Sequence, residues 1–259
     1  MKVFAVANQK GGVGKTSVAV NLSATLAHYG QSVLLVDLDP QGNATTGSGV
    51  DKNGVENTVY GVLLGEYAVA NARIRTESGF DVLPANRELA GAEIELINIE
   101  RREFRLKDAL AHVDSDYAFV VIDCPPALNM LTVNALTAAN AVIIPMQCEY
   151  YALEGLSDLV GTLRKVKANL NPSIEIEALV RTMYDPRSSL TTQVSDEIKS
   201  HFGDKVFDTV IPRNIRIAEA PSYGKPVILH DAASKGAAAH FAFARELLAR
   251  EGIAIKEKV

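Results

Sequence analysis

The stretch that decides the fold is residues 9–17, which read Gln9-Lys10-Gly11-Gly12-Val13-Gly14-Lys15-Thr16-Ser17. Residues 3–7 before it form a short apolar run rich in valine, which predicts a buried parallel strand. Residues 18–28 after it carry Ala, Leu and Val at helical spacing and predict an amphipathic helix. Glycines let a loop curl so that its N–H groups point inward, and a helix N-terminus adds partial positive charge. The order strand, glycine loop, helix therefore predicts an anion site.

Side chains at the end of this loop indicate that the anion is a nucleotide phosphate. Lys15 can reach the β- and γ-phosphates, and the Thr16 hydroxyl can ligate Mg²⁺. The common phosphate-loop pattern G-x-x-x-x-G-K-[ST] places glycine at residue 9, where this chain has Gln9. A second lysine, Lys10, precedes the paired glycines, and its side chain starts at the outer lip of the loop. We infer that Lys10 serves a nucleotide held by a second copy of the protein.

Composition and charge exclude several classes of protein. The 259-residue chain is 47% hydrophobic and 22% charged, enough apolar material for one large core, and its net charge of −5 does not point to nucleic acid. No apolar run approaches the roughly 20 residues of a membrane span, and the strand near Met1 leaves no room for a signal peptide. Cys124 and Cys148 supply neither a disulfide framework nor a paired metal-ligand spacing. We expect a reduced, cytoplasmic protein.

The rest of the chain alternates between strands and helices. Apolar runs predict further strands at residues 32–36, 79–83, 117–122, 141–145, 174–180 and 205–210. Helical spacing predicts helices at 59–64, 88–113, 133–139, 153–170 and 232–250, and residues 41–57 are predicted to form a loop. Leu190, Val194, Ile198 and Phe202 step by four and predict one further helix whose stripe packs in the core. This alternation predicts a single α/β domain over 1–259, with a mostly parallel twisted sheet and helices on both faces.

Three aspartates lie at the predicted carboxyl ends of strands, where open α/β sheets bind their ligands. Asp123 follows the hydrophobic run 119–122, the pattern of an aspartate that holds Mg²⁺ through a bound water. Asp37 and Asp39 alternate along an extended segment and share one side of it. Two carboxylates beside a magnesium nucleotide either ligate the metal or orient the attacking water, and their spacing does not distinguish these roles.

Several motifs together resemble one family of nucleotide hydrolases. The loop over 10–16 is similar to the deviant Walker A loop of the ParA/MinD ATPases. Two strand ends, Asp37-Leu38-Asp39-Pro40-Gln41-Gly42-Asn43-Ala44-Thr45 and Asp123-Cys124-Pro125-Pro126, resemble the ParA/Soj branch, which partitions chromosomes and plasmids. Further segments that fit this branch are Ile211-Pro212-Arg213-Asn214, Glu219-Ala220-Pro221-Ser222 and Gly224-Lys225-Pro226. The resemblance covers nearly the whole chain.

The resemblance implies a P-loop ATPase that uses ATP and Mg²⁺ and forms an ATP-dependent sandwich homodimer. Lys10 would reach across to the partner's nucleotide, Lys15 would contact the phosphates, and Asp39 would orient the hydrolytic water. The implied metal residues are Thr16, Asp37 and Asp123. The implied nucleotide-binding residues are Lys10, Gly11, Gly12, Val13, Gly14, Lys15, Thr16 and Ser17, together with Pro212 and Asn214 near the adenine.

The resemblance also implies partners. The ATP-bound dimer would bind double-stranded DNA of the nucleoid without sequence preference, and a ParB-type centromere-binding protein would stimulate its slow ATPase. No membrane partner is implied. The basic residues that the resemblance places on the DNA surface are Arg187, Arg213, Arg216 and Lys225. Acids such as Asp185, Asp208 and Glu219 interrupt them, and from the residues alone this favours a mixed solvated face.

Three other interpretations compete with this one. A MinD-like membrane-surface ATPase would need a C-terminal amphipathic helix to bind the membrane, whereas the tail over 251–259 is short and Gly252 interrupts it. A small-molecule kinase or ligase would need an acceptor pocket, for which no residues can be named. An iron–sulfur cluster like that of the nitrogenase iron proteins would use cysteines of two subunits, but at the position of Cys124 a small buried hydrophobe suffices.

Overall fold

A computed structural model of the chain describes residues 1–255. Its eight strands form one sheet in the order β3-β4-β2-β5-β1-β6-β7-β8. The strands are β1 Lys2–Val6, β2 Val33–Asp37, β3 Ile74–Arg75, β4 Asp81–Leu83, β5 Phe119–Asp123, β6 Ala141–Gln147, β7 Glu175–Tyr184 and β8 Val206–Pro212. All neighbouring strands run parallel except the short edge pair β3 and β4. The predicted mostly parallel sheet is confirmed.

Helices connect these strands. The α-helices are α1 Lys15–His28, α2 Asn43–Gly47, α3 Val59–Leu64, α4 Val69–Ala72, α5 Leu89–Glu95, α6 Arg105–Ala111, α7 Met130–Ala138, α8 Ala152–Asn169, α9 Ser189–Phe202, α10 Ile215–Glu219, α11 Val227–His230 and α12 Lys235–Arg250. Short 3₁₀ turns lie at Leu96–Asn98, Arg102–Phe104, Gly203–Lys205 and Ala220–Tyr223. The longest helix, α8, follows β6 and leads to the parallel strand β7.

Both faces of the sheet are covered. Successive residues of a strand point to opposite faces, so Phe4 and Val6 of β1 pack with α1, α11 and α12. Val3 and Ala5 belong to the core on the other face, which also contains apolar residues of α3 and of α5 through α9. Because the central strands are buried on both faces, they are continuous apolar runs and not alternating ones. The predicted helices on both faces are confirmed.

The single long helix predicted over 88–113 is wrong. These residues form α5, two 3₁₀ turns and α6, with a break at Arg101, whose φ is +55°. Asn134 of α7 accounts for the start of α6, because its Oδ1 accepts a hydrogen bond from Leu106 N at 3.1 Å. The Asn134 Nδ2 donates to Arg102 O at 2.9 Å. A side chain from another helix therefore pairs with backbone groups that a continuous helix would have paired internally.

Three smaller differences from the predictions concern element ends and edges. Helix α1 begins at Lys15, ahead of the predicted start at residue 18, so the loop lysine is already helical. The edge strand β3 was not predicted, and α2 lies within the predicted loop 41–57. The expectation that Leu190 packs in the core is wrong, since it is 45% exposed, while Val194 and Ile198 are buried. Leu190 lies in the first turn of α9, ahead of the part of the helix that packs on the core.

Candidate nucleotide site

The candidate site lies where the strand order reverses. Strand β1 pairs with β5 on one side and with β6 on the other, so its carboxyl end opens into the crevice where parallel sheets bind ligands. The loop over 9–14 follows β1 after Ala7 and Asn8, and Gly14 caps the start of α1. Gly12 and Gly14 have φ of +73° and +89°, values that favour glycine. The predicted strand, loop and helix are therefore all present at the sheet edge.

Side chains from two neighbouring strands hold this loop. The Thr182 hydroxyl of β7 donates to Val13 O at 2.7 Å, and the Gln147 amide of β6 donates to Gly12 O at 3.1 Å. Within the loop segment, Lys10 N donates to the Asn8 side chain at 2.9 Å. The sheet thus sets the shape of the loop through hydrogen bonds to its backbone. Thr182 and Gln147 were not predicted, because they are far from the loop in sequence and carry no motif.

Lys15 is a mostly buried ammonium. It is 7% exposed, and its Nζ donates to Lys10 O at 3.1 Å. Burial lowers the pKa of Lys15, and the negative charges of Asp123 and Asp39 act in the opposite direction. A lysine ammonium has three N–H donors, so one bond to a carbonyl leaves donors for a ligand. The position suits an anion that enters the loop.

Asp37 and Asp123 lie opposite each other at the ends of β2 and β5. Both are fully buried. The Asp37 carboxylate accepts hydrogen bonds from Thr45 N at 2.8 Å, from the Thr45 hydroxyl at 2.7 Å and from Asp39 N at 3.1 Å. Burial nevertheless raises the pKa of Asp37 to about 6. Asp37 therefore holds the segment 39–45 in place, and the Thr45 hydroxyl in turn accepts from Ala85 N at 2.9 Å.

Asp123 has no such partners. Neither of its carboxylate oxygens has a hydrogen-bond partner within residues 1–255. Burial and the neighbouring Asp37 raise the pKa of Asp123, while the nearby Thr16 hydroxyl and Lys15 ammonium oppose this only in part. A buried carboxylate without a partner is costly and calls for a physical explanation. Pairing with a bound cation is one such explanation.

The donor set fits magnesium. No group of three or more His, Cys, Asp and Glu side chains within residues 1–255 is arranged to hold a metal on its own. Mg²⁺ typically keeps several waters and binds one or two carboxylates together with substrate phosphates. Asp123 and Thr16 offer a carboxylate and a hydroxyl of this kind. Asp37 is already engaged by three hydrogen bonds, so its role as a metal ligand stays a prediction.

Asp39 lies beside this cluster and is only partly buried. Its Oδ1 accepts from Gln41 N at 2.9 Å, and Oδ2 makes no hydrogen bond within the described residues. The Asp39 charge acts on Lys15 and on Asp123. One oxygen is therefore fixed by the backbone, and the other is available to a small ligand such as a water molecule.

Lys10 points away from its own loop. Its Nζ lies 2.5 Å from Glu149 Oε2, with the two side chains 42% and 50% exposed. Glu149 follows β6 and precedes two exposed aromatic residues, Tyr150 and Tyr151, which are 76% and 67% exposed. Glu149 was not predicted, because only the fold brings it next to residue 10. Lys10 thus lies on the outer rim of the site, as its place in the sequence indicates.

A cavity of about 260 Å³ opens beside the start of α1. One wall comes from Gly14, Ser17 and Val18, and the facing wall comes from the end of β8 and from α10. The residues of that facing wall are Ile211, Pro212, Arg213, Asn214, Ile217 and Ala218. The structure therefore brings Pro212 and Asn214, predicted to lie near the base, to the same cavity as Ser17 in the first turn of α1.

The four predicted DNA-binding residues do not form one free basic patch. Arg187 is bound by its neighbour Asp185, with Nη2 2.8 Å from Oδ2. Arg216 pairs with Glu219 at 2.9 Å and with Asp231 at 3.2 Å. Arg213 makes no ion pair within residues 1–255, and it lies near Asp185, whose pKa it helps to lower. Lys225 also lacks an ion pair in that part of the chain and borders a second cavity of about 250 Å³ together with Thr16 and Ser17.

Comparisons with known proteins identify the family. A family model described as an AAA domain matches residues 1–176. The sporulation initiation inhibitor protein Soj of Bacillus subtilis is 53% identical over 249 residues, which cover 96% of this chain and 98% of that protein. The chromosome partitioning protein ParA of Caulobacter vibrioides is 53% identical over 254 residues, which cover 97% of this chain and 95% of that protein. The chain belongs to the ParA/Soj family of chromosome-partitioning ATPases.

Solved structures support this ParA/Soj assignment. Cobyrinic acid a,c-diamide synthase of Mycobacterium smegmatis, with a bound ATP analogue and magnesium, is 40% identical with a TM-score of 0.86, and the match covers 97% of this chain and 96% of that one. The cell division ATPase MinD of Pyrococcus furiosus is 26% identical with a TM-score of 0.79, covering 96% and 99%. The predicted family, the ATPase activity and the use of ATP and Mg²⁺ are confirmed at this level.

The structure adds observations on two of the competing interpretations, the membrane-surface ATPase and the iron–sulfur protein. Across residues 1–255, no helix has both the length and the apolar character needed to cross a membrane. The last four residues of the tail considered for a membrane-surface helix, 256–259, lie outside the described residues. Cys124 is 1% exposed and packs in the core on one face of the sheet, as expected of a small buried hydrophobe.

Proposed function

We propose that this ParA/Soj-family chain acts as a nucleotide-gated DNA-partitioning switch built on one domain over residues 1–259. The observation that carries the proposal is the orphaned carboxylate of Asp123, fully buried beside Lys15 and Thr16. Mg²⁺ and ATP together fit this arrangement, because the metal would pair with Asp123 and the phosphates would pair with Lys15. The single sheet described for residues 1–255 supports the one-domain organisation.

Each site residue has a role in this proposal. The backbone of Gly11, Gly12, Val13, Gly14 and Ser17 cradles the phosphates, and Lys15 neutralises their charge. Thr16 and Asp123 hold Mg²⁺, which when bound stabilises charge on the phosphates, and Asp37 supports them as the third candidate metal residue. Asp39 orients the hydrolytic water with its unbonded Oδ2, and Pro212 and Asn214 border the base.

Lys10 is proposed to act on the nucleotide of a second copy in an ATP-dependent homodimer. Its half-exposed ammonium lies on the rim of the site, where the ion pair with Glu149 is accessible to an approaching partner. Tyr150 and Tyr151 add exposed aromatic surface next to that ion pair. An exposed charge pair flanked by aromatic side chains suits a protein interface better than a solvated surface. Formation of the dimer would exchange Glu149 for phosphate as the partner of Lys10.

The Lys10→Ala variant tests this role. We expect it to bind ATP within about threefold of wild type but to lose at least about tenfold in ATP-dependent dimerisation and in hydrolysis, because the cation acts only across the dimer. Analytical ultracentrifugation with and without ATP, together with phosphate release, measures both effects. Lys107→Ala is the matched control, since Lys107 is exposed on α6. Normal dimerisation and turnover in Lys10→Ala would exclude the cross-dimer role.

DNA binding and a ParB-type activator complete the proposed cycle. The ATP dimer binds double-stranded DNA without sequence preference, the ParB-type protein stimulates hydrolysis, and hydrolysis releases the DNA. These steps imply a cytoplasmic, nucleoid-associated protein with no membrane partner. Dimerisation supports DNA binding by an acidic chain, since two copies would present twice the number of phosphate-binding cations on one surface.

The experiment that tests the function is binding to a random-sequence duplex with ATP and with ADP. The Asp39→Ala variant holds the ATP state during the measurement. Binding that requires ATP and weakens steeply with salt would support the proposal. Equal binding with ATP and ADP, or no binding in either state, would overturn the DNA-switch role. A MinD-like role would instead give ATP-dependent sedimentation with liposomes.

Arg213 is expected to contribute more to DNA binding than Arg187, because Arg187 is already neutralised by Asp185. We expect Arg213→Ala to weaken binding to random-sequence DNA about tenfold and to reduce the salt slope by about one for each phosphate that Arg213 neutralises. Arg164→Ala, at an exposed position of α8 near the amino-terminal end of β7, is the control. ATP affinity is measured in parallel because Arg213 borders the base cavity. A larger effect from Arg187→Ala would contradict this ranking.

A small-molecule ligase is the alternative that the comparisons raise, since one structural relative is a cobyrinic acid a,c-diamide synthase. A ligase couples ATP cleavage to an acceptor substrate, so its ATP turnover depends on that acceptor. The proposed switch hydrolyses ATP with water alone, slowly, and accelerates with DNA and a ParB-type protein. Phosphate release measured without an acceptor substrate, and with and without DNA and a ParB-type protein, therefore separates the two functions.

A further inference from the structure

A buried histidine borders the cavity that is proposed to hold the base. His240 lies on α12, and its side chain is fully buried, yet it borders the same 260 Å³ cavity as Ser17, Pro212 and Asn214. Neither His240 ring nitrogen has a hydrogen-bond partner within residues 1–255. Buried polar groups are almost always paired, and an unpaired one costs free energy. An unpaired imidazole at a cavity wall therefore indicates a group that a ligand satisfies.

The surroundings keep this imidazole neutral. Burial lowers the pKa of His240 to about 3, and no charged side chain contributes to the shift. A neutral imidazole has one nitrogen that donates and one that accepts. The histidine therefore offers uncharged hydrogen bonding, which suits a heterocyclic base and does not suit a phosphate.

The rest of the cavity has the character of a base pocket. Val18, Met183, Ile211, Pro212 and Ile217 provide apolar surface for the faces of a planar ring. Of the other polar side chains that line the cavity, Thr182 donates to Val13 O and the Asn214 oxygen accepts from Arg216 N, while Ser17 is only partly buried and Arg213 is exposed. His240 remains as a buried polar group with both of its ring nitrogens unused. Small-molecule sites commonly combine such apolar walls with a few polar groups that set orientation.

We propose that His240 reads the edge of the purine base, forming a hydrogen bond with the 6-amino group or with N7 of the nucleotide. The inference rests on the proposed function, because it assumes that the phosphates occupy the loop over 9–17. The proposal gives α12 a role in selecting the base, a role that no motif in the sequence indicates. Sequence reasoning gives His240 no role, since it lies more than 200 positions from the loop.

A comparison that combines a protein variant with ligand analogues tests this contact through binding affinities alone. Calorimetry measures how tightly wild type and His240→Phe each bind three nucleotides. These are ADP, 7-deaza-ADP, which lacks N7, and the diphosphate of purine riboside, which lacks the 6-amino group. In wild type, one of the two analogues should bind about fivefold to tenfold more weakly than ADP, the size of one hydrogen bond. In His240→Phe, the affinity for ADP should fall by a similar factor. The affinity for that analogue should then lie within about twofold of the affinity for ADP.

Two further variants keep the result interpretable. His240→Gln retains a donor and an acceptor and should keep most of the discrimination between ADP and the analogue. His201→Phe, an exposed histidine of α9, should leave every affinity unchanged. His240→Phe should also melt at or above the wild-type temperature, because it removes two unpaired polar atoms from the interior. If it melts lower, His240→Leu replaces it in the comparison, and an analogue penalty in that variant equal to the wild-type penalty would overturn the proposal.

The outcomes separate the inference from the proposed function. Equal analogue penalties in wild type and His240→Phe, or no penalty in either protein, would overturn the role of His240 while leaving nucleotide binding intact. Failure of wild type to bind ADP at all would instead overturn the proposed function, and the inference with it.

Discussion

The Asp39→Ala variant is expected to bind ATP with wild-type affinity and to hydrolyse it at least about 100-fold more slowly. Asp39 follows the carboxyl end of β2, its Oδ1 is held by Gln41 N, and its Oδ2 makes no hydrogen bond in the described structure. A carboxylate fixed on one oxygen and free on the other is suited to orient a water molecule. Its loss removes that positioning and leaves the phosphate loop and Lys15 unchanged.

Calorimetry for ATP binding and phosphate release for turnover measure the two parts of this prediction. Asp114→Ala is the control, because Asp114 is an exposed aspartate that pairs with the chain N-terminus, at the opposite edge of the sheet. The variant should also retain the ATP-dependent dimer for longer than wild type. Turnover within threefold of wild type would exclude the water-orienting role, and loss of ATP binding would place Asp39 in nucleotide binding instead.

The Asp123→Asn variant is expected to lose at least about 100-fold in ATPase activity. Without nucleotide, its free energy of unfolding should exceed that of wild type by about 1–3 kcal/mol. Asp123 is fully buried, unpartnered within residues 1–255, and faces the carboxylate of Asp37 across the strand pair β2 and β5. An asparagine of the same shape removes the repulsion between the two carboxylates. The site is thus expected to reduce the stability of the free protein in order to hold a cation.

The pH dependence of stability has a definite sign. Both Asp37 and Asp123 have raised pKa values in the folded protein, with Asp37 at about 6 against an ordinary value of 3.8. The folded protein therefore holds protons that the unfolded chain has released, and this pair makes the free energy of unfolding fall as pH rises from about 4 to about 7. This destabilising contribution is absent below the unfolded pKa and fully present above the folded pKa. Asp123→Asn should flatten this slope.

Urea unfolding at pH 5 and at pH 8, without nucleotide or Mg²⁺, measures the effect in wild type and in Asp123→Asn. Asp114→Asn is the matched control and should follow the wild-type curve. Asp123→Asn should gain more stability at pH 8 than at pH 5. A variant less stable than wild type at pH 8 would show that the carboxylate is paired in the free protein, contrary to its environment in the structure.

The strands other than β3, and the position of the site, were predictable from the sequence. Central parallel strands are buried on both faces, so they are continuous apolar runs, and their ends are marked by the glycine loop and by Asp37 and Asp123. Parallel strands bring their carboxyl ends to one edge, so a local pattern was enough to gather these residues. The prediction over 88–113 was wrong because Asn134 of another helix pairs with the backbone there, an interaction that helical periodicity does not contain.

The predicted DNA-binding residues show the opposite case. A count of basic residues treats Arg187, Arg213 and Arg216 as equivalent, whereas the structure pairs Arg187 and Arg216 with nearby acids. Ion pairing depends on side-chain positions that spacing along the chain does not provide. Which of the four candidates binds phosphate therefore stays a prediction, with Arg213 and Lys225 free of ion pairs within residues 1–255.

The sequence by itself determined the fold class, the family and the phosphate loop, because each depends on residues close together along the chain or at the ends of apolar runs. Only the tertiary structure decided how the site is held and what remains unsatisfied in it. Thr182 and Gln147 bind the loop, Glu149 binds Lys10, and His240 of α12 borders the cavity beside the start of α1. These contacts join residues more than 130 positions apart. Side-chain partners at that separation are set by strand order and helix packing, which no local pattern records.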